Sequence, residues 1–349
     1  MTHKPPQWLE AILPQTPQTP EGLLSGVVHA SCEKLLAQIP DNSVDLILTD
    51  PPYFIDRMGS NWHKEGLKKS AKKAQVIGSM PVGMKFDPKQ GKDLQKNLTP
   101  IFQECFRILK PGGFIVSFSQ ARLYHRMAMA CEDVGFEIRD MLGWTYEGQA
   151  KAFSQDHFVK RMDLSDKDKE NLIKSMGGRK TPQFKPMIEP MVFGQKPKTG
   201  TFVENWQAFG VGLIDTTELW EGKFPGQLMN ARKPSQSERG EGNNHFTVKP
   251  QSVLQHLIKV LTKEGGVVVD PFAGSSSTQL AAMLTNRHAV GSEREQEDFE
   301  TSVRRLNDAR GTTSPVSTVT KKTQVKKTPA KKSVTQKLDK QKKGKANAK

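Results

Sequence analysis

Cysteine is scarce in this chain: Cys32, Cys105 and Cys131 are the only three among 349 residues. An odd, widely spaced set builds neither a disulfide framework nor a zinc site, and it suits a reducing cytoplasm. Long apolar runs are missing as well. The apolar-rich segments 44–48 and 113–118 are strand-sized, far short of the roughly 20 residues needed to cross a bilayer. The N-terminus has no cationic start followed by an apolar stretch, so no secretory signal is visible. There is no Gly-x-Gly-x-x-Gly fingerprint and no Walker lysine, which argues against a dinucleotide or a triphosphate ligand. Secreted, membrane-spanning and zinc-finger classes are thereby set aside.

Positive charge is abundant but unevenly placed. The net charge is +15, yet residues 311–349 alone hold twelve lysines against one acid, Asp339. The first 310 residues therefore carry only +4. The tail, made of Lys, Thr, Ser, Pro and Gln, has too little apolar surface to fold and is expected to be disordered. It has no aromatic residue to stack on a base, so it is suited to neutralising phosphates and not to reading sequence.

Residues 1–22 hold five prolines and read as an extended arm. Folded sequence is expected from about Leu23. Strands are expected at 26–30, Val44–Thr49, 114–119, 136–144, 191–193, 266–269 and 288–291, and helices at 32–38, 98–109, 121–134, 253–261, 278–284 and 299–306. Residues 151–180 are charged and helix-prone. The segment 57–98, rich in Lys, Gly and Pro, reads as a long insertion or lid. Apolar strands alternating with helices predict a parallel sheet covered on both faces, an α/β fold.

Two segments carry chemistry. In Thr49-Asp50-Pro51-Pro52-Tyr53 an apolar strand exits into a loop, where open parallel sheets bind ligands. Two prolines fix the backbone, so the Asp50 carboxylate and the neighbouring carbonyls project as rigid acceptors beside the flat ring of Tyr53. Acceptors plus a stacking face suit a planar ring bearing an exocyclic amine. Taken alone, the same residues also fit a strand followed by a proline turn. In the second segment, Val267–Asp270 delivers Pro271-Phe272-Ala273-Gly274-Ser275-Ser276-Ser277 onto a helix start. Free N–H groups there can meet a polar ligand, and Gly274 lets the backbone approach closely. About 20 residues later Glu293 ends the next strand, the place of a ribose-hydroxyl acceptor in nucleoside-binding folds.

Together these segments resemble the amino-methylating DNA methyltransferases, which use S-adenosyl-L-methionine to methylate adenine N6 or cytosine N4. The resemblance covers most of residues 23–306. The run from Pro40 to Tyr53 resembles the family's catalytic segment almost letter for letter; 109–113 and 189–193 resemble further strands, and Lys249-Pro250 the segment that closes over the cofactor. The catalytic motif precedes the cofactor motif, the permuted order of the β class. The resemblance implies a Rossmann-like, circularly permuted methyltransferase fold with a catalytic half at 23–194, a target-recognition region at 195–244, a cofactor half at 245–310 and a Lys-rich tail at 311–349. Three places depart from the pattern: Ala30-Ser31 where an Asp is usual, His245-Phe246-Thr247-Val248-Lys249-Pro250 for His-Pro-Thr-x-Lys-Pro, and Ser275-Ser276-Ser277 after Gly274. The 57–98 insertion resembles a feature of prophage-borne adenine methyltransferases.

The implied catalytic residues are Asp50, Pro51, Pro52 and Tyr53. The implied cofactor residues are Asp270, Phe272, Ala273, Gly274, Ser275, Glu293, Lys249, Thr247 and Ser31, with no metal. An Asp at the head of the motif leans to adenine N6, cytosine N4 being the alternative and an inactive DNA-binding relative a third reading. The implied partner is double-stranded DNA, the protein acting as a monomer or homodimer in the cytoplasm of a bacterium or phage-infected host. The target base must be flipped out of the duplex to be reached.

Overall fold

The apolar run Val44–Thr49 is buried along its whole length because it lies near the middle of a sheet. A computed structural model of the chain describes residues 3–53, 88–240, 243 and 248–311. Most of the 57–98 insertion, Thr247 and the tail beyond Gly311 lie outside the described residues. The strands are β1 (Ser25–His29), β2 (Val44–Thr49), β3 (Leu109–Phe118), β4 (Glu137–Thr145), β5 (Ile188–Gln195), β6 (Leu228–Asn230), β7 (Val267–Asp270) and β8 (His288–Glu293). They form one sheet in the order β1-β8-β7-β2-β3-β5-β4-β6. All neighbours are parallel except β5, which runs antiparallel to β3 and β4.

Alternation explains why the central strands are apolar at successive positions. Ile47, Ile115, Val267 and Val269 face one layer, built on the helices Gln7–Ile12, Cys32–Leu36, Pro88–Ile108 and Tyr124–Glu132. Leu46, Leu48, Phe114, Val116 and Val268 face the other, built on Gln251–Leu261 and Ser277–Leu284. Burial on both sides removes the polar alternation that a one-sided sheet would show. No helix among the described residues is long and apolar enough to cross a membrane.

The strand ends form two edges of the sheet. The carboxyl ends of β7, β2, β3 and β4 share one edge with the amino end of β5, since Phe118 pairs with Met191 and Thr145 with Ile188. Order along the sheet reverses between β7 and β2: β7 leads to β8 on one side, β2 to β3 on the other. A crevice at the carboxyl ends of such a switch point is where α/β sheets bind ligands. At the opposite edge Asp45 is buried; it accepts the Val267 N–H at 2.8 Å and pairs with Lys110 at 2.8 Å.

Three expectations give way to structure. The first 22 residues are not an extended arm: Gln7–Ile12 is helical, and Leu9 and Leu13 enter the core. The prolines flank this helix, Pro6 as its N-cap and Pro14 just past its end, so they delimit it without breaking it. The helix expected from Leu98 begins ten residues earlier, at Pro88, inside the segment read as insertion, and holds Pro100 internally. The short strand β6 adds to β4 at the end of the sheet, where no apolar run announced a strand.

Candidate active site

Thr49 and Asp270 end the two strands that flank the switch point. The Thr49 hydroxyl donates to Asp270 Oδ1 at 2.6 Å, and the Phe272 N–H donates to the same oxygen at 3.1 Å. Asp270 is only 3% exposed; burial pushes its carboxyl up to about 6, against the hydrogen bonds from Thr49 and Thr278. The two motifs found far apart in the sequence are thus tied at their roots.

Above Thr49 the backbone turns through Asp50-Pro51-Pro52. Both carboxylate oxygens of Asp50 are engaged: the Tyr53 hydroxyl donates to Oδ1, and the Lys249 ammonium to Oδ2. The Lys249 ammonium also lies 3.3 Å from Glu189 Oε2 and 5.1 Å from the Phe118 ring centroid. Its side chain is 6% exposed. Burial pulls the pKa of this lysine down, but Asp50 and Glu189 outweigh it and hold it above the usual value. Burial raises the Glu189 carboxyl despite Lys249. Burial, and after it the Asp50 and Glu189 charges, raise the Tyr53 phenol. Lys249, assigned from the sequence to the cofactor, therefore has its charge on the Asp50 carboxylate. Glu189 was visible in the sequence only as part of a strand pattern, because its role depends on a lysine 60 residues further on.

A cavity of about 310 Å³ opens beside this cluster and joins both motifs. Ser31, Asp50, Tyr53, Phe272, Gly274 and Glu293 all line it, together with Pro51, Pro52, Lys249, Asp270, Ala273 and Ser275. Thr247 lies outside the described residues. Ser31 sits at the N-cap of Cys32–Leu36 with its hydroxyl making no capping bond. Gly274 has φ +51, a conformation that favours glycine. The loop after β7 is clamped from behind by the helix Gln296–Gly311: Ser302 donates to the Gly274 carbonyl at 2.6 Å, and Arg305 to the Ser275 carbonyl at 2.9 Å. Ser302 and Arg305 were not legible as site-building residues, since they lie one helix beyond the motif. Gly291 permits the close packing of β8 on this loop; a Cβ there would meet Gln279 Nε2 at 2.2 Å and the Ala273 Cβ at 2.7 Å.

Glu293 accepts the Glu295 N–H at 2.8 Å, and burial pushes its carboxyl up to about 7. The cavity thus has an acidic acceptor at one end, a flat aromatic side chain and a small-residue loop in the middle, and the Asp50–Tyr53 acceptor cluster at the other. The fold is an α/β sheet of the ligand-binding kind, and this site has the shape and acceptors that suit a nucleoside beside a second, amine-bearing ligand.

Comparison with known proteins narrows the class. The family model of the N6/N4 DNA methylases, described as DNA methylase, matches residues 44–304. The chain belongs to this family, the S-adenosyl-L-methionine-dependent methyltransferases of exocyclic amines in DNA. It is 28% identical over 289 residues to the type II methyltransferase M.HindIII of Haemophilus influenzae, covering 78% of this chain and 91% of that protein. It is 27% identical over 282 residues to M2.LlaDCHI of Lactococcus lactis subsp. cremoris, covering 80% and 88%. Two solved structures share the fold. The cytosine-N4-specific PvuII DNA methyltransferase has a TM-score of 0.51 at 16% identity, covering 85% of this chain and 95% of that one. The DNA modification methylase TTHA0409 of Thermus thermophilus has a TM-score of 0.50 at 17% identity, covering 82% and 96%.

Proposed function

We propose that this amino-DNA methyltransferase acts on the N6 amine of adenine in double-stranded DNA, with the target base flipped into the Asp50–Tyr53 end of the cavity. The observation that carries this reading is the single cavity shared by the acceptor cluster and the Phe272–Glu293 loop. On this reading a nucleoside-type methyl donor and a target amine would share that cavity.

The residues present fit S-adenosyl-L-methionine. Glu293 would take the ribose hydroxyls, Phe272 the face of the adenine, and Ser31 and the N–H groups near Gly274 the remaining polar atoms; bound there, the cofactor supplies an electrophilic methyl group. The chain's own residues prepare the nucleophile. An exocyclic amine of adenine is weakly nucleophilic because its lone pair is delocalised into the ring. Asp50 and the Pro51 carbonyl accept its two N–H bonds, which favours a pyramidal nitrogen and frees the lone pair. Each carboxylate oxygen has a second lone pair, so Asp50 can take the amine while Tyr53 or Lys249 stays bound. Lys249 holds the Asp50 carboxylate in place through its Oδ2, and the Tyr53 ring stacks on the flipped base. The work is orientation and electrostatics.

Adenine is favoured over cytosine by the acidic head of the motif, Asp50. The permuted domain order and the basic tail are parts of the same reading, with the tail a tether that raises encounter rate with DNA. Methyl transfer from labelled S-adenosyl-L-methionine to duplex DNA, followed by nucleoside analysis, tests it. N6-methyldeoxyadenosine is expected; N4-methyldeoxycytidine as the product overturns the choice of base.

A further inference from the structure

The chain between β4 and β5 leaves the sheet at its carboxyl edge, the edge that holds Asp50, and returns there. Its two legs pair with each other. The Tyr146 N–H donates to the Met187 carbonyl at 3.1 Å, Lys185 reaches Glu147 at 3.5 Å, and Ser154 and Lys180 form an antiparallel bridge. The tip carries two helices, Asp156–Val159 and Asp166–Met176. The second is capped at both ends, by the Ser165 hydroxyl on the Asp168 N–H and by Gly177 at φ +54, yet none of its residues is buried. Local capping therefore holds a helix whose faces the core does not use.

The composition of this projection points to one partner. Residues 147–187 carry nine basic and six acidic side chains. Phe153, Phe158 and Phe184 are exposed, Phe184 at 98%. Excess positive charge neutralises phosphates and aromatic rings accept the π-faces of bases, the pairing that nucleic-acid surfaces use. The region expected from the sequence to read the target, 195–244, differs in charge: it carries six basic and six acidic side chains, although it too exposes aromatic rings, at Phe202, Trp206 and Phe224. Within it, residues 196–227, which precede β6, carry three basic and four acidic side chains. They also begin at the far edge of the sheet, where Asn205 on the helix Phe202–Phe209 donates to the Pro111 carbonyl at 3.0 Å and Gln195 to the Gly112 carbonyl at 2.9 Å.

We propose that the projection 146–187, and not the segment 196–227, is the surface that grips duplex DNA beside the flipped base. This rests on the DNA methyltransferase reading above.

The test uses the full chain and a fluorescent duplex, with affinity measured by anisotropy across a salt series. One variant combines Lys160→Ala, Arg161→Ala, Lys167→Ala and Lys180→Ala, all at exposed positions of the projection. A second carries Phe184→Ser alone. A control combines Lys198→Ala and Lys223→Ala in the other segment. The first variant should bind DNA roughly tenfold more weakly or worse, its log–log salt slope falling by about 0.9 for each phosphate no longer neutralised. Its S-adenosyl-L-methionine affinity should stay at the wild-type value. Phe184→Ser should weaken DNA binding without lowering the melting temperature, which keeps the proposal testable if the fourfold variant folds poorly. DNA affinity within twofold of wild type in both projection variants overturns the proposal, as does an equal loss in the control. A wild-type protein that neither binds nor methylates DNA overturns the function itself, and the docking surface with it.

Discussion

The Lys249 ammonium donates to Asp50 Oδ2 across 199 residues of sequence, inside a pocket where the lysine side chain is 6% exposed. The same ammonium lies 3.3 Å from Glu189, so one cation is shared between two carboxyl groups. Removing it leaves two like charges in a site that burial already penalises. Lys249→Ala should destabilise the protein by roughly 3–5 kcal/mol, the cost of breaking a buried pair from one side, read as a lower midpoint in urea. The double variant Lys249→Ala with Glu189→Gln should recover part of that loss; no recovery would mean that the two groups are not coupled.

Asp50→Asn keeps the shape of the side chain but turns one acceptor into a donor facing Lys249. Turnover should fall by about a hundredfold or more, in line with the removal of one preorganised electrostatic interaction. S-adenosyl-L-methionine affinity by calorimetry should change little, because Glu293 and the Phe272–Ser275 loop are untouched. Turnover within a few-fold of wild type would remove Asp50 from the reaction.

Glu293 gives a pH dependence with a definite sign. Burial raises its carboxyl to about 7 in the folded protein, so the folded state holds the proton more tightly than the unfolded chain. Its contribution therefore favours folding at low pH and is lost as pH climbs from the ordinary carboxylate range through 7. Binding of vicinal hydroxyls runs the other way, since they donate to the ionised form. Affinity for S-adenosyl-L-methionine should rise as pH passes through about 7 and level off above it. Glu293→Gln should bind more weakly and flatten that rise, checked by calorimetry between pH 6 and 8.5.

Thr49→Val removes the hydroxyl that donates to Asp270 Oδ1 at 2.6 Å and leaves a buried carboxyl short of a partner. The expected cost is about 1–3 kcal/mol. Because this bond joins the roots of both motifs, turnover and cofactor affinity should fall together. Asp50→Asn, in contrast, should lower turnover alone.

Gly291→Ala places a methyl group 2.7 Å from the Ala273 Cβ and 3.0 Å from the Asp270 carbonyl. The loop after β7 must shift to accept it, and overpacking of this kind costs about 1–3 kcal/mol. The melting temperature and the S-adenosyl-L-methionine affinity should both drop. An unchanged affinity would mean that the loop tolerates displacement.

Local pattern made some of this legible in the sequence and tertiary contact hid the rest. Val44–Thr49 and Val267–Asp270 announce themselves by the apolar runs Leu46–Leu48 and Val267–Val269, apolar at successive positions because both faces of their sheet are covered, and the proline turn and the small-residue loop that follow them are equally local. The pairing of Lys249 with Asp50 and Glu189 has no local signature; three side chains from distant segments meet only once the sheet is assembled. Leu9 and Leu13 were masked by the prolines around them, although their four-residue spacing marks one helix face. Strand Leu228–Asn230 is three residues long and borrows its pairing from β4. The projection between β4 and β5 was visible as charged, helix-prone sequence, but its place at the Asp50 edge follows from strand direction alone.

The pairing of β2 with β7 also sets a schedule for biosynthesis. It joins Leu46 to Val268 and Ile47 to Val269, so more than two hundred residues must be made after β2 before its partner exists. At about 5–20 residues per second, that interval is on the order of 10–40 seconds. Throughout it, a strand whose centre is the apolar Leu46-Ile47-Leu48 has an unpaired backbone edge, the kind of template that invites pairing with another nascent chain. The enzyme's ability to reach its native state in the cell should therefore depend on chaperone supply and on translation speed between Thr49 and Val267. Synonymous codon changes that slow this stretch should lower soluble yield while leaving the specific activity of the recovered enzyme unchanged.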